Sequence, residues 1–195
     1  VNGFERRKEQ KKRKILETAL TLFMKYNIRK VSVSEIAKEA QVSQVTIYNY
    51  FENKDNLVHE VIIFYVDKIW GEYEQLFNSN IPFPTKVKKI IFDKSEVASH
   101  INEEFFEYFM KEYSGEDNYI DKLYMEKALP RFMKLFNEGK EQGFVDPSIS
   151  NEAILLYIQM FKEFLQRGDV TKNILPITED LTKLFFFGIA GKNEE

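Results

Sequence analysis

The sequence predicts an all-α fold. Apolar residues recur at three- and four-residue spacing through most of the chain, and no stretch alternates in the way a half-buried strand requires. Proline and glycine are scarce, 5 and 8 in 195 residues, so little punctuates the helices. Lys, Glu, Leu and Ile are abundant, a composition that suits helices.

A chain of 195 residues allows one large domain or two small ones and can bury a core without disulfides. It has no cysteine, which excludes a disulfide framework and a thiolate metal site. No apolar run reaches the ~18 residues of a membrane span and no signal-peptide pattern opens the chain. A soluble cytoplasmic protein is expected. The net charge of −3 conceals an asymmetry: residues 1–60 carry 12 basic against 8 acidic side chains, and the remainder 16 against 23. A basic start on an acidic body suits a polyanionic partner, although charge alone equally suits a solubilising tail.

In chain order, "ERRKEQKKRK" leads into Ile15, Leu16, Ala19, Leu20, Phe23 and Met24, a helical stripe. One helix is expected from Glu5 to Tyr26, charged in its first half and amphipathic in its second. After a turn at Asn27–Lys30, Ser32 and Glu35 have the spacing of a capping box before "VSEIAKEA". Ile36, Ala37 and Ala40 share one face of that short helix. Gln41-Val42-Ser43 breaks the pattern, and Ser43 can cap a further helix ending at Phe51. A polar break, Glu52 to Asp55, precedes a long helix to Phe77. The loop "NSNIPFPT" follows. Five more helices are expected at Thr85–Ser99, Asn102–Tyr113, Asn118–Gln142, Ser150–Arg167 and Ile177–Gly188. Pro130 should kink or split the third of these, and Gly143 should end it.

The stretch "VSQVTIYNYF" needs a separate account, because its polar and aromatic residues suit neither a core nor an idle surface. At 100° per residue, Ile47 and Phe51 fall on one face and can join Ile36, Ala37 and Val42 in a small core. Val45, Thr46 and Asn49 fall on the opposite face, with Tyr48 and Tyr50 at its flanks. Two short helices joined by a three-residue turn, the second presenting such a face, have the layout of a helix-turn-helix whose second helix enters the DNA major groove. Gln44 and Asn49 can bond base edges, and Val45 and Thr46 can touch a thymine methyl. Tyrosine hydroxyls and Lys54 can reach phosphates. The plain alternative is an αα-hairpin with a polar face.

The run from Ile15 to Ile62 resembles the DNA-binding region of the TetR family of transcriptional regulators. The resemblance is carried by Ile15-Leu16, Ser32-Val33, Glu35-Ile36-Ala37, Val42-Ser43, Thr46-Ile47-Tyr48, Tyr50-Phe51, Lys54 and Leu57. It covers about the first quarter of the chain. It implies a helix-turn-helix domain over 1–53, a helical effector-binding and dimerisation domain over 54–195, and a homodimer through the two C-terminal helices. It also implies a palindromic double-stranded operator and a small-molecule effector that changes the separation of the two reading heads. By position, Gln44, Val45, Thr46, Tyr48 and Asn49 would face the groove. Tyr50, Lys54, Ser32 and Ser34 would hold phosphates. Gln41 stands where the family often has glycine, and a left-handed Gln41 would cost about 1 kcal/mol. Val45 stands where it often has a small residue.

In the acidic body, Ile154, Tyr157, Ile158, Phe161 and Leu165 form one helical stripe, and Ile177, Leu181, Leu184, Phe185 and Gly188 another. With Phe185-Phe186-Phe187 the last helix is apolar over a wide arc and needs cover on more than one side, which a second subunit can supply. Trp70, Phe92, Phe105, Phe109, Tyr124, Met125, Tyr157 and Phe161 are candidates to line a pocket for a hydrophobic or aromatic effector, or are ordinary core. Glu103, Glu104 and Glu107 read as a solvated acidic face. His59, and His100 near Glu96, fall short of the three or four ligands a metal wants. No phosphate loop, nucleophile motif or di-iron pattern is present, so neither cofactor nor enzymatic activity is expected. The competing class is a helical ligand-binding or scaffolding protein without specific DNA recognition. A membrane-surface role for the basic helix is disfavoured because its charged segment lacks an apolar face.

Overall fold

The computed structural model describes residues 3–114, 118–165, 167 and 174–190. The protein is all-helical. The helices are α1 (Gly3–Lys25), α2 (Val33–Ala40), α3 (Gln44–Phe51), α4 (Lys54–Asn78), α5 (Phe83–His100), α6 (Glu103–Tyr113), α7 (Tyr119–Leu123), α8 (Leu129–Glu141), α9 (Asn151–Leu165) and α10 (Thr178–Ala190). No helix among the described residues is long and apolar enough to cross a membrane. The expected end of the ninth helix at Arg167 falls beside residue 166, which lies outside the described residues, as does the side chain of His100.

The chain forms two compact units, the first comprising Val1–Ile69 and Ile101–Glu112. Here α1 buries Ile15, Leu16, Ala19, Leu20 and Phe23, whereas none of its residues from Gly3 to Lys14 is buried. Leu57, Val58, Val61 and Ile62 of α4 and Phe105 of α6 complete the core. Phe105 meets the edge of Tyr65 at a 5.4 Å ring separation. Asn102 serves two helix ends at once. Its Oδ1 accepts from the Phe105 backbone N–H at 2.8 Å, capping α6, while its Nδ2 donates to the Phe23 and Met24 carbonyls at the end of α1. Helix ends otherwise leave such groups unpaired. The acidic start of α6 is engaged as well, since Glu104 pairs with Arg29 at 3.2 Å.

The second unit comprises Trp70–His100 and Tyr113–Glu195. Its core runs through Phe83, Val87 and Ile90 of α5, Leu135 and Phe136 of α8, Ile154 and Ile158 of α9, and Phe186 of α10. Phe185 joins this core to Phe132, Tyr157 and Phe161 through ring contacts of 5.2–6.4 Å. Gly139 lets α8 approach closely, because a Cβ there would lie 2.7 Å from Val145 Cγ2 and 2.9 Å from the Phe83 ring. The Lys86 side chain is buried. It donates to the Phe77 carbonyl at 3.0 Å and to Glu138 at 2.7 Å, satisfying a carbonyl at the end of α4.

The helix expected over Asn118–Gln142 runs without a break from Tyr119 to Glu141 but contains one π-turn, so Pro130 does not split it. Pro130 has no N–H for the carbonyl four residues back, and the preceding turn, Tyr124–Ala128, is a π-turn in which the Leu129 N–H reaches the Tyr124 carbonyl. Gly143, at φ 78°, ends α8 as expected.

The α9 stripe singled out for a subunit interface faces inward instead. Ile154 and Ile158 are buried, and Tyr157 and Phe161 pack on Phe185 of the same chain. The outward apolar side chains of α9 are Leu156, Met160 and Phe164, one turn apart, and among the described residues of α10 Leu184 is outward. Helix α9 is apolar nearly all round, so periodicity alone does not choose its inner face.

Candidate nucleic-acid interface

The helix-turn-helix is fixed by its caps. Ser32 Oγ accepts from the Glu35 N–H at 3.2 Å, and Glu35 Oε2 accepts from the Ser32 N–H at 2.7 Å, which closes the capping box. Hydrogen bonds from the Ser32 side chain and backbone hold the Glu35 carboxyl below its ordinary value of 4.5. Gln41 ends α2 in the left-handed region, at φ 58°, ψ 45°. Its N–H reaches the Lys38 carbonyl, and the Val42 N–H reaches that of Ala37 at 2.9 Å, the bond pattern of a Schellman turn. Lys14 Nζ donates to Gln41 Oε1 at 3.2 Å. Ser43 then caps α3, its Oγ accepting from the Thr46 N–H at 3.0 Å.

Of the eight residues of α3, Ile47 and Phe51 are buried. Gln44, Val45, Tyr48 and Asn49 are exposed, and Thr46 and Tyr50 are half-buried, so the structure brings the expected groove-facing residues onto one outward side. Beyond α3, Glu52 adopts φ 62°, ψ −48°, and the Asn53 N–H bonds the Phe51 carbonyl at 2.7 Å. This is a γ-turn of the rare positive-φ kind, a conformation that costs of order 1–3 kcal/mol in a residue with a side chain. It allows α4 to begin at once, with Asn53 Oδ1 accepting from the Asn56 N–H at 2.8 Å.

The residues expected to hold phosphates are placed differently. Lys54 Nζ donates to the Ile28 carbonyl at 2.7 Å and is half-buried, tying the turn after α1 to the start of α4. The Tyr50 hydroxyl donates to the Lys8 carbonyl at 3.2 Å, so its one proton is directed at α1. Ser32 is occupied by the capping box, and the Ser34 hydroxyl lies 2.9 Å from that of Ser32, beside the Glu35 carboxylate.

Next to α3 lies an open groove of about 510 Å³. One wall is Phe4, Arg7, Lys8 and Lys11 of α1, and the other is Thr46, Asn49 and Tyr50 of α3. The basic run is plain in the sequence, but none of its residues stands out there as a partner of α3. The signal was present, because positions 4, 7, 8 and 11 form one face of a helix.

The pocket candidates do not gather in one place. Phe105 and Phe109 meet Tyr65 in edge-to-face contacts in the first unit. Trp70, Phe92, Tyr124, Met125, Tyr157 and Phe161 belong to the second, where Phe92 and Met125 are exposed and Tyr157 and Phe161 pack on Phe185. Trp70 Nε1 and the Tyr124 hydroxyl are buried without a hydrogen-bond partner among the described residues. Burial, followed by the nearby Asp121, pushes the Tyr124 hydroxyl up to about 12. Lys162 pairs with Asp121 and lies 4.4 Å over the Tyr124 ring. His59 Nδ1 lies 3.0 Å from Glu112.

Residues 15–61 match the family described as bacterial regulatory proteins, tetR family. The transcriptional repressor KstR2 of Rhodococcus jostii is 22% identical over 147 residues, 74% of this chain and 71% of that protein. The uncharacterized regulator YuxN of Bacillus subtilis is 40% identical over 60 residues, 31% of this chain and 21% of that one. Among solved structures, the fatty acid degradation regulator FadR of Bacillus halodurans has a TM-score of 0.59 at 19% identity, covering 90% of this chain and 94% of its own. FadR of Bacillus subtilis in complex with stearoyl-CoA has a TM-score of 0.57 at 17% identity, covering 90% and 98%. At these identities the solved structures share the fold. The matched segment coincides with the capped helix pair, so residues 15–61 carry the DNA-binding region described for the tetR family of bacterial regulatory proteins.

Proposed function

We propose that the protein is a cytoplasmic repressor that binds a palindromic operator as a homodimer and leaves it when a small hydrophobic or aromatic effector binds. In this reading residues 1–53 meet DNA and 54–195 dimerise and hold the effector. The observation that carries it is the outward face of α3, where Gln44, Val45, Tyr48 and Asn49 stand in solvent on a helix capped at its start and anchored by Ile47 and Phe51. Amide side chains in such a place match adenine edges, and Val45 matches a thymine methyl. A second subunit is supported by Leu156, Met160, Phe164 and Leu184, apolar side chains left in water on two helices of one unit. An effector is supported by the unpartnered Trp70 Nε1 and Tyr124 hydroxyl, since buried polar groups ordinarily have partners. A molecule with an apolar bulk and an acceptor would suit either group, and stearoyl-CoA, carried by the Bacillus subtilis FadR structure, is a probe of that kind.

The test is a footprinting titration on the DNA upstream of the protein's own gene, at physiological salt with excess competitor. A protected palindrome with half-site centres a helical turn or a small multiple apart is expected. Tyr48→Ala should abolish protection and leave the melting temperature unchanged, and it is a cleaner variant than Lys54→Ala, whose side chain also ties two elements together. Uniform protection lost at modest salt would refute the reading. Stearoyl-CoA and aromatic compounds, added to the bound complex, test release.

A further inference from the structure

The first three turns of α1 have no role in the core. They nevertheless continue as helix from Gly3, with Arg6, Arg7, Lys8, Lys11, Lys12, Arg13 and Lys14 in twelve residues. Three of these cations are engaged within the first unit: Lys12 with Glu60 at 3.0 Å, Arg13 with Glu17 at 2.8 Å, and Lys14 with Gln41. Arg7, Lys8 and Lys11 instead share the groove beside α3, which no carboxylate lines. The arrangement is unfavourable taken alone, because like charges cluster at the end of a helix whose macrodipole is already positive. An anion in the groove would relieve both. The opposite wall is Thr46, Asn49 and Tyr50, so a duplex read by the outward face of α3 brings a sugar-phosphate strand to this place. The Tyr50–Lys8 hydrogen bond holds the two walls together.

We propose that the basic face of the α1 extension and α3 form a seat for the phosphodiester strand flanking the half-site, with Arg7 and Lys11 each neutralising a phosphate. The inference rests on α3 being the DNA reader. It assigns the phosphate-holding role to α1, while Tyr50 fixes the position of the extension. Its contribution is independent of base sequence.

The experiment compares full-length protein with Arg7→Ala/Lys11→Ala and with Arg7→Lys/Lys11→Arg. Duplexes are selected by the wild type from a random 30-base-pair pool, and affinity is followed from 50 to 200 mM salt. Each lost phosphate contact lowers the slope of log K against log salt by about 0.9, hence about 1.8 per subunit and twice that for a bound pair. Over this fourfold salt range, wild-type affinity should fall about 10²-fold further than that of the double alanine variant. The charge-conserving variant should keep the wild-type slope, and base preference should be unchanged in both. Both positions are exposed and their charges repel in the absence of an anion, so the alanine variant should melt no lower than the wild type. Equal slopes, or tighter binding by the alanine variant, would overturn the proposal, the latter by making the extension a shield over α3. If the wild type selects no sequence, the reading of α3 fails, and the slope measured on the unselected pool still decides whether Arg7 and Lys11 hold phosphates.

Discussion

Met160→Glu should convert the protein to monomers. Leu156, Met160, Phe164 and Leu184 are 58, 60, 45 and 64% exposed. Fully burying such a side chain is worth about 1.5–3 kcal/mol, so covering the exposed half yields ~1 kcal/mol each. In a two-fold symmetric pair, eight side chains then supply ~8 kcal/mol, comparable with the 4–15 kcal/mol lost in translational and rotational freedom. The margin is therefore narrow. The substitution removes ~1 kcal/mol in each subunit and places two carboxylates in the covered patch, where dehydration adds at least another 1 kcal/mol each. The total, at least ~4 kcal/mol, weakens the dimer about 10³-fold. Sedimentation equilibrium over a range of concentrations reads the dissociation constant, with far-UV circular dichroism as the control for folding. A dimer within tenfold of wild type would refute the argument that this face is the interface.

Other outcomes follow from the caps and contacts. Ser32→Ala should destabilise the first unit by about 1 kcal/mol in urea titrations. It should also flatten the acid-side pH dependence. With its value depressed in the folded state, Glu35 contributes stability that is full above 4.5 and is lost as the pH falls through the lower folded value, and the variant removes the bonds responsible. Gly139→Ala should cost about 1–3 kcal/mol, because the new methyl meets Val145 and Phe83 inside 3 Å; an unchanged urea midpoint would show that the site can relax. Gln41→Gly relieves a left-handed residue worth about 1–2 kcal/mol and loses one exposed bond to Lys14, so the first unit should melt higher, and a lower melting temperature would contradict the strain.

The parts legible in the sequence were those set by local chemistry. Ser32 and Glu35 announced a capping box, Ser43 a cap and Gly143 a helix end, and each makes the backbone bonds its spacing implied. Ile47 and Phe51 could be placed inward because α3 has only one apolar pair at helical spacing. The face of α9 could not be chosen, because Leu156 and Met160 are as apolar as Ile154 and Ile158. The covered side is marked by a residue from a distant part of the chain, Phe185, whose ring meets Tyr157 and Phe161 of the same helix. Lys54 and Tyr50 show a second limit. A cation or a phenol can serve a phosphate or a carbonyl of its own chain, and sequence does not reveal that Ile28 and Lys8 lie within reach.

Helix α3 keeps only Ile47 and Phe51 in the core, so its stability and its chemistry reside in different side chains. The exposed positions 44, 45, 48 and 49 can be rewritten with no cavity formed and no cap lost. On the proposed reading of this face, selection in nature or in a library can therefore retarget the protein to new DNA by small steps through folded intermediates. A descendant with a different operator would melt at nearly the same temperature as its ancestor.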